Sequence, residues 1–385
     1  MVPGPTVVDA AALLAQVADE LVLRSARDTH EAVGDRVHGA VRRGTLGLSA
    51  VPEAAHKGIS AAVYAGLGLA LRGASEGLGR AAEQGWGAPL EATAGGRLLL
   101  GAVNGLIGDR LAEERPRLAV ELAVRRDGRD VRLDEDAIAE AFPEATGRVV
   151  VLLHGLCESD ESWSREGDRR TTYADALAAR GWTPVLLRAN TGLSVRENGA
   201  ALASLLERLV ALWPTEVTRI ALVGHSQGGL VMRAAAAVVG PSAAWSPLVT
   251  DVVTLGTPHL GAPLAAAAGW GSRTLARVPE SAAFGRILDH RSAGIHDLVA
   301  GLGEEVPPLP HARYRLVAAA LGADRRDPLS RLLGDLLVRP ESAYGRDRLG
   351  RSLFPQAEVL HIDGADHFDL LNHPEVHEAL ERWLG

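Results

Sequence analysis

The chain has 385 residues, 47% of them apolar and drawn from Ala, Leu and Val more than from aromatics, which fits one large domain with an appendage, or two domains, and excludes a mostly disordered chain. The 40 basic residues against 48 acidic ones give a net charge of -8, so no basic excess is present for a phosphate backbone, and nucleic acid is excluded as an expected partner.

The first stretch, MVPGPTVVDAAALLAQVADE, lacks a basic n-region and carries acids within its apolar pattern, which argues against a signal peptide. The single cysteine, Cys157, allows no intramolecular disulfide, and a reducing cytoplasm is the expected location. Residues 6–114 set apolar residues at helical spacing broken by glycines, as in VVDAAALLAQVADELVL and GGRLLLGAVNGLIGDRLAEE, and predict a helical N-terminal region over 1–114. Within it ISAAVYAGLGLAL, Ile59 to Leu71, is shorter than the ~20 apolar residues a bilayer span needs and reads as a core helix or a surface-lying segment. Helices of this kind are expected to pack on the rest of the chain, meet a membrane surface peripherally, or join a second copy.

Pro116 ends the last of these helices, and LAVELAV then alternates toward RDGRDVRL, where Asp127-Gly128 is a hairpin turn signal. An antiparallel hairpin therefore opens a second domain, 115–385. From Gly147 strand and helix patterns alternate: RVVVLLHG, TTYADALAARG, TPVLLRAN, NGAALASLLERLVALW, RIALVGHS, LVMRAAAAVVG and VTDVVTLGTP. That rhythm is the βαβ signature of a parallel sheet. It stops after Pro258 for roughly 50 residues, read as a lid insertion over 259–311, and resumes in RYRLVAAALG and AEVLHIDG. Trp270, Leu275, Phe284, Ile287 and Leu288 of that insertion suit an aliphatic chain or simply pack the lid on the core.

In LVGHSQGG, Leu222 to Gly229, Ser226 falls at a sharp turn between an apolar strand and an Ala/Val-rich helix, with glycines in the GxSxG spacing that lets the chain pass close to itself. A serine is a weak nucleophile and needs a histidine base oriented by a carboxylate. His367 stands between the last strand and the final helix. His361 lies within that strand, and His373 and His377 begin or ride on the helix, where a capping or solvated role is the default. For the acid, Asp324, Asp327, Asp335 and Asp347 all fall in the right interval, and spacing alone favours Asp324, nearest the strand. His290, His296 and His311 have no metal-ligand spacing with other donors, so no metal and no cofactor is expected.

HGL at 154–156, GHSQGG at 224–229, GTPHLGAPL at 256–264 and DHFDLL at 366–371 resemble, in this order, the α/β-hydrolase-fold lipases and esterases, especially the bacterial lipase and GPI inositol-deacylase-like branch. The resemblance covers roughly residues 116–385 and implies the chain order serine, acid, histidine. It places Ser226 as nucleophile, His367 as base, and the backbone N–H groups of Leu156 and Gln227 as the oxyanion hole, with His154 shaping the loop. GDLLVRPESAYG, Gly334 to Gly345, resembles the branch's acid-bearing segment and moves the choice of acid to Asp335, although Leu336 stands where glycine is common. Arg188 and Asn190 in RANTGLSVRENG are read as structural, Asp366 and Asp369 as loop hydrogen-bonders, and Cys157 as a small buried hydrophobe. The expected function is a serine carboxylester hydrolase acting on short- to medium-chain aliphatic esters. The rivals are a membrane-lipid deacylase or acyltransferase, and a catalytically silent binding protein on the same fold.

Overall fold

Thr6 has an extended backbone, its hydroxyl accepts the Asp9 N–H, and the Asp9 carboxylate bonds back to the Thr6 N–H; this capping box starts α1, Val7–Val17. The computed structural model describes residues 4–24, 26–28, 30–31, 33–35, 38, 50–164, 171–238, 243–262, 292–303, 306–321, 335, 337–347 and 349–385. They divide into two units after Glu91. In the first, α1 lies against α2, Ala50–Glu83: Ser75 Oγ donates to the Ala12 carbonyl at 2.9 Å, and Arg72 pairs with Asp19 at 2.8 Å. The Ile59–Leu71 stretch lies within α2 with Ile59 67% and Leu67 49% exposed, the surface-lying alternative of the two sequence readings. Among the described residues no helix is long and apolar enough to cross a membrane.

The second unit begins with α3, Ala94–Glu114, which the Thr93 side chain caps. A boundary drawn from sequence at 114 joins this helix to the N-terminal region; its contacts join it to the sheet-bearing unit. A Cβ at Gly101 would lie 2.4 Å from the Glu158 carbonyl oxygen, one at Gly105 2.5 Å from the Cys157 nitrogen, and one at Gly108 1.8 Å from Asn190 Oδ1. Only glycine permits so close an approach. The glycines that look like breaks in the sequence pattern are thus the packing face of a helix that kinks once, at Ile107, where φ is -141° and ψ 25°.

The expected hairpin is present. β1, Ala123–Arg126, pairs antiparallel with β2, Arg129–Val131, through Asp127 and Gly128 at φ of 50° and 70°, the left-handed pair a tight two-residue turn requires. The chain continues through α4 (Glu135–Ala141), β3 (Arg148–Leu153), α5 (Tyr173–Ala178), β4 (Thr183–Arg188), α6 (Val195–Leu212), β5 (Arg219–His225), α7 (Gln227–Val238) and β6 (Val249–Leu255). It then forms α8 (Ala293–Ala300), β7 (Arg313–Ala320), α9 (Pro340–Ala343), β8 (Glu358–Asp363) and α10 (Pro374–Leu384). The eight strands run in the order β2-β1-β4-β3-β5-β6-β7-β8, parallel except for the two pairs that β1 makes.

Both faces of the sheet are covered, which is why its central strands are apolar throughout. Val149, Val151 and Leu153 point to the side of α6 and α7, where Leu202, Leu206 and Leu230 are buried. Val150 and Leu152 point to the side of α5 and α10, against Tyr173, Val376 and Trp383. Because β3, β5, β6, β7 and β8 are parallel, their C-terminal ends open on one edge, where loops meet. Of the expected lid, residues 263–291, 304 and 305, with Trp270, Leu275, Phe284, Ile287 and Leu288 among them, lie outside the described residues. Its described end starts at Ser292, whose hydroxyl caps α8 and also donates to the Gly105 carbonyl at 2.7 Å, while Asp109 Oδ2 accepts the Ala293 N–H at 2.9 Å.

Candidate active site

Ser226 occupies the turn between β5 and α7 with φ of +51°, a left-handed conformation that strains a non-glycine residue by roughly 1–3 kcal/mol. The turn is held: the Ser226 N–H donates to the Leu255 carbonyl at 2.8 Å. A Cβ at Gly228 would come within 2.4 Å of the Leu153 carbonyl oxygen, so the spacing read from LVGHSQGG reflects real crowding against the end of β3.

His367 and Asp335 meet directly. The imidazole Nδ1 lies 2.7 Å from Asp335 Oδ2, and the His367 N–H donates to the Asp335 carbonyl at 3.2 Å. A carboxylate only accepts, so Nδ1 carries the proton and Nε2 is left as the basic nitrogen. The second carboxylate oxygen takes the N–H groups of Leu337 at 3.0 Å and Val338 at 2.7 Å, which fixes the acid's orientation. Both side chains are buried. Asp324 and Asp327 lie outside the described residues, and Asp347 bonds to Arg351 in an exposed turn. His367 reaches the serine's surroundings through Gly256, which follows Leu255: a Cβ there would sit 2.9 Å from His367 Cε1.

The loop after β3 lies over the serine, for a Cβ on Gly155 would be 2.8 Å from Ser226 Cβ. The amides on either side of Leu156 are engaged, Gly155 N–H with Glu158 Oε2 at 2.9 Å and Cys157 N–H with Thr191 Oγ1 at 3.2 Å. Gln227 is the first residue of α7, so its N–H has no intrahelical acceptor. Its side chain donates to the Gly294 carbonyl at 3.0 Å. His154 is buried and bridges Gly155 O through Nδ1–H to the Ala189 N–H through Nε2. Burial lowers its pKa, so it stays neutral in the loop-shaping place expected of it.

Three acids in CESDES anchor this loop to three elements. Glu158 faces His225 of β5 at 2.8 Å, Asp160 faces Arg125 of β1 at 3.2 Å, and Glu161 faces Arg97 of α3 at 2.6 Å. Burial alone would raise the Glu158 carboxyl, but the facing His225 holds it down at about 2. Burial alone would likewise lower His225, and Glu158 raises it above its ordinary value. Neither residue stands out in the sequence reading; the only signal available is that a histidine precedes the serine and an acid follows the HGL turn. Cys157 has φ of +62° and a thiol that burial, with Glu158 beside it, pushes up to about 11, which disfavours the nucleophilic thiolate.

Arg188 pairs with Asp130 at 2.7 Å and Asn190 bonds to the Gly108 carbonyl at 3.0 Å, both structural as read. Asp366 and Asp369 exchange loop hydrogen bonds at 2.8 and 2.9 Å. His373 caps α10 as expected, but His377 is buried against Tyr173 and bonds to Asn372 at 2.7 Å, because α10 turns that face toward the sheet. His259 is buried beside Phe354, and burial, with Arg233 near, lowers its pKa well below the ordinary value.

An α/β sheet with a strained serine after its fifth strand and a histidine–carboxylate pair after its last strands defines a hydrolase class, and residues 150–379 match the profile of the alpha/beta hydrolase family. The chain belongs to that family. It is 32% identical to a triacylglycerol lipase of Burkholderia plantarii over 133 residues, 34% of this chain and 34% of that protein. It is 32% identical to a triacylglycerol lipase of Pseudarthrobacter phenanthrenivorans over 125 residues, 31% of this chain and 36% of that one. The matches thus span about a third of these curated relatives. Among solved structures, the mature lipase BlEst2 of Bacillus licheniformis is similar at TM-score 0.44 and 21% identity, over 62% of this chain and 91% of that one. EstA of Clostridium botulinum is similar at TM-score 0.42 and 14% identity, over 62% and 86%.

Proposed function

We propose that this chain is a serine carboxylester hydrolase. The observation that carries the reading is the 2.7 Å bond from His367 Nδ1 to Asp335, which leaves Nε2 as a base on the strand edge where Ser226 is held at φ of +51°. In the mechanism that follows, His367 Nε2 takes the Ser226 hydroxyl proton as the oxygen attacks the ester carbonyl. The N–H groups of Leu156 and Gln227 hold the negative oxygen of the tetrahedral adduct. His367 then gives its proton to the leaving alcohol, and a water, deprotonated by the same nitrogen, releases the acid and restores the serine.

Short- to medium-chain aliphatic esters are the proposed substrates, on the apolar composition of the segment after Pro258. A second reading, a lipid deacylase resting on a bilayer surface, is favoured by Ile59, Val63 and Leu67, exposed at helical spacing along one side of α2. Flotation with liposomes separates the two.

The test of the mechanism is kinetic. Ser226→Ala is expected to fold and to lose p-nitrophenyl ester hydrolysis and fluorophosphonate labelling, with a drop of about 10⁴-fold or more in kcat. Asp335→Asn is expected to lower kcat by up to about 10⁴-fold with KM little changed, and Asp324→Asn by less than roughly tenfold. Near-normal turnover in folded Ser226→Ala sinks the mechanism. A collapse confined to Asp324→Asn reassigns the acid.

A further inference from the structure

His225 precedes the serine in the chain, is fully buried, and has both ring nitrogens engaged. Nδ1 faces the Glu158 carboxylate at 2.8 Å from one oxygen and 3.0 Å from the other, and Nε2 lies 3.0 Å from the backbone carbonyl oxygen of His367. A carboxylate and a carbonyl only accept hydrogen bonds, so both nitrogens donate and the ring is an imidazolium. Glu158 also accepts the Gly155 N–H, one residue before the inferred oxyanion donor Leu156. Three segments that each carry one part of the proposed chemistry, the oxyanion loop, the serine turn and the base-bearing loop, thus converge on a single buried charge pair.

We propose that Glu158 and His225 act as a positioning dyad, which sets the oxyanion loop and the His367 loop against each other across Ser226. The proposal rests on the ester-hydrolase reading for its catalytic consequence. The groups facing His225 are Glu158, the His367 ring with its centroid 4.7 Å away, and Asp335 beyond it; those facing Glu158 are His225 and His154. A buried ion pair is a weak source of stability, since its desolvation offsets its attraction, but it fixes geometry where both partners keep all their hydrogen bonds. Here the dyad supplies one donor to the base-bearing loop and one acceptor to the oxyanion loop. Take away the carboxylate charge and an isolated buried imidazolium gives up a proton, so one ring nitrogen stops donating. With glutamine at 158 the neutral ring keeps Nε2–H on the His367 carbonyl only where the amide N–H meets Nδ1, and the charge attraction that holds the two loops at a fixed spacing is gone. A displacement of about 1 Å at this distance from the chemistry is worth about 10²-fold in rate.

The variants are Glu158→Gln, which keeps shape and removes charge, His225→Asn, and the two together, each read by kcat and KM on p-nitrophenyl esters and by melting temperature. In Glu158→Gln kcat is expected to fall at least about tenfold with KM within about twofold, the pattern of a defect felt in the transition state. The double variant is expected to be no slower than the worse single one, because the residues act as one unit. A residue that merely stabilises the fold moves melting temperature and leaves kcat of the folded fraction intact, and that result overturns the proposal, as do additive losses.

A second measurement does not depend on turnover. Histidine-¹⁵N spectra of the wild-type protein are expected to show both His225 nitrogens protonated from acid to neutral pH, and in Glu158→Gln the His367 ring signals are expected to move. A neutral His225 in the wild type, or an unmoved His367 in the variant, refutes the dyad. If the wild-type protein hydrolyses no ester, the ester-hydrolase reading falls, and the nitrogen spectra alone decide the dyad. Should Glu158→Gln fail to fold, the protonation of wild-type His225 and the kinetics of His225→Asn decide it.

Discussion

Glu158 is one of three acids in CESDES, and a carboxylate is exposed by default. It is 6% exposed because His225, 67 residues along and pointing from the end of a strand, neutralises it. No pattern within a short window of sequence announces such a partnership, whereas Ser226 and His367 are legible because a strand, a turn and a helix surround them in fixed order. Asp335 lies between these cases: spacing pointed to Asp324, and only the family resemblance selected the residue that bonds to His367. The Glu158–His225 pair also makes a pH prediction. Glu158 is depressed from 4.5 to about 2, so its stabilisation is present above about 4.5 and fades as pH falls through 2. His225 is raised from 6.5, so its share is complete below 6.5 and fades as pH rises through the folded value. The melting-temperature gap between wild type and Glu158→Gln is therefore expected to be widest between pH 4.5 and 6.5. A gap that widens steadily from pH 6.5 upward contradicts this assignment of charges.

Among the elements, the strands were legible and the allegiance of α3 was not. VVVLL and IALVG can hardly be anything but strands covered on both faces, and Asp127-Gly128 names its own turn. The pattern GGRLLLGAVNGLIGD, by contrast, states that a helix forms without stating what its glycines touch. Gly101, Gly105 and Gly108 touch Glu158, Cys157 and Asn190. Leucine at Gly105 must push the Cys157 backbone aside, and overpacking of this kind costs typically about 1–3 kcal/mol. Gly105→Leu is expected to lower both the melting temperature and kcat, since the displaced backbone adjoins Leu156. Gly95→Ala, at a position of the same helix with nothing within 4 Å, is expected to be neutral or stabilising by up to about 1 kcal/mol. Equal behaviour of the two variants in thermal melts and ester assays argues against α3 as a support for the loop.

For the whole molecule, the compact units divide after Glu91, whereas the sequence pattern puts a boundary at 114, and the two cuts have different expected outcomes. Removal of residues 1–91 is expected to leave a folded chain that still hydrolyses esters. Removal of 1–114 strips α3 from Glu158, Cys157, Asn190 and Ser292 and is expected to give an aggregating, inactive product. Sedimentation and p-nitrophenyl ester turnover on both truncations check this, and a soluble, active 115–385 fragment contradicts it. The same helix imposes an order on the making of the protein. Gly108 waits for Asn190, 82 residues downstream, and Gly105 waits for Ser292, 187 residues downstream. At about 5–20 residues per second, the second interval lasts about 10–40 s on a ribosome. Ser226 is synthesised well inside it, so the nascent chain acquires the proposed nucleophile before the contacts that hold α3 in place are complete, and the proposed activity is expected to arrive late in translation.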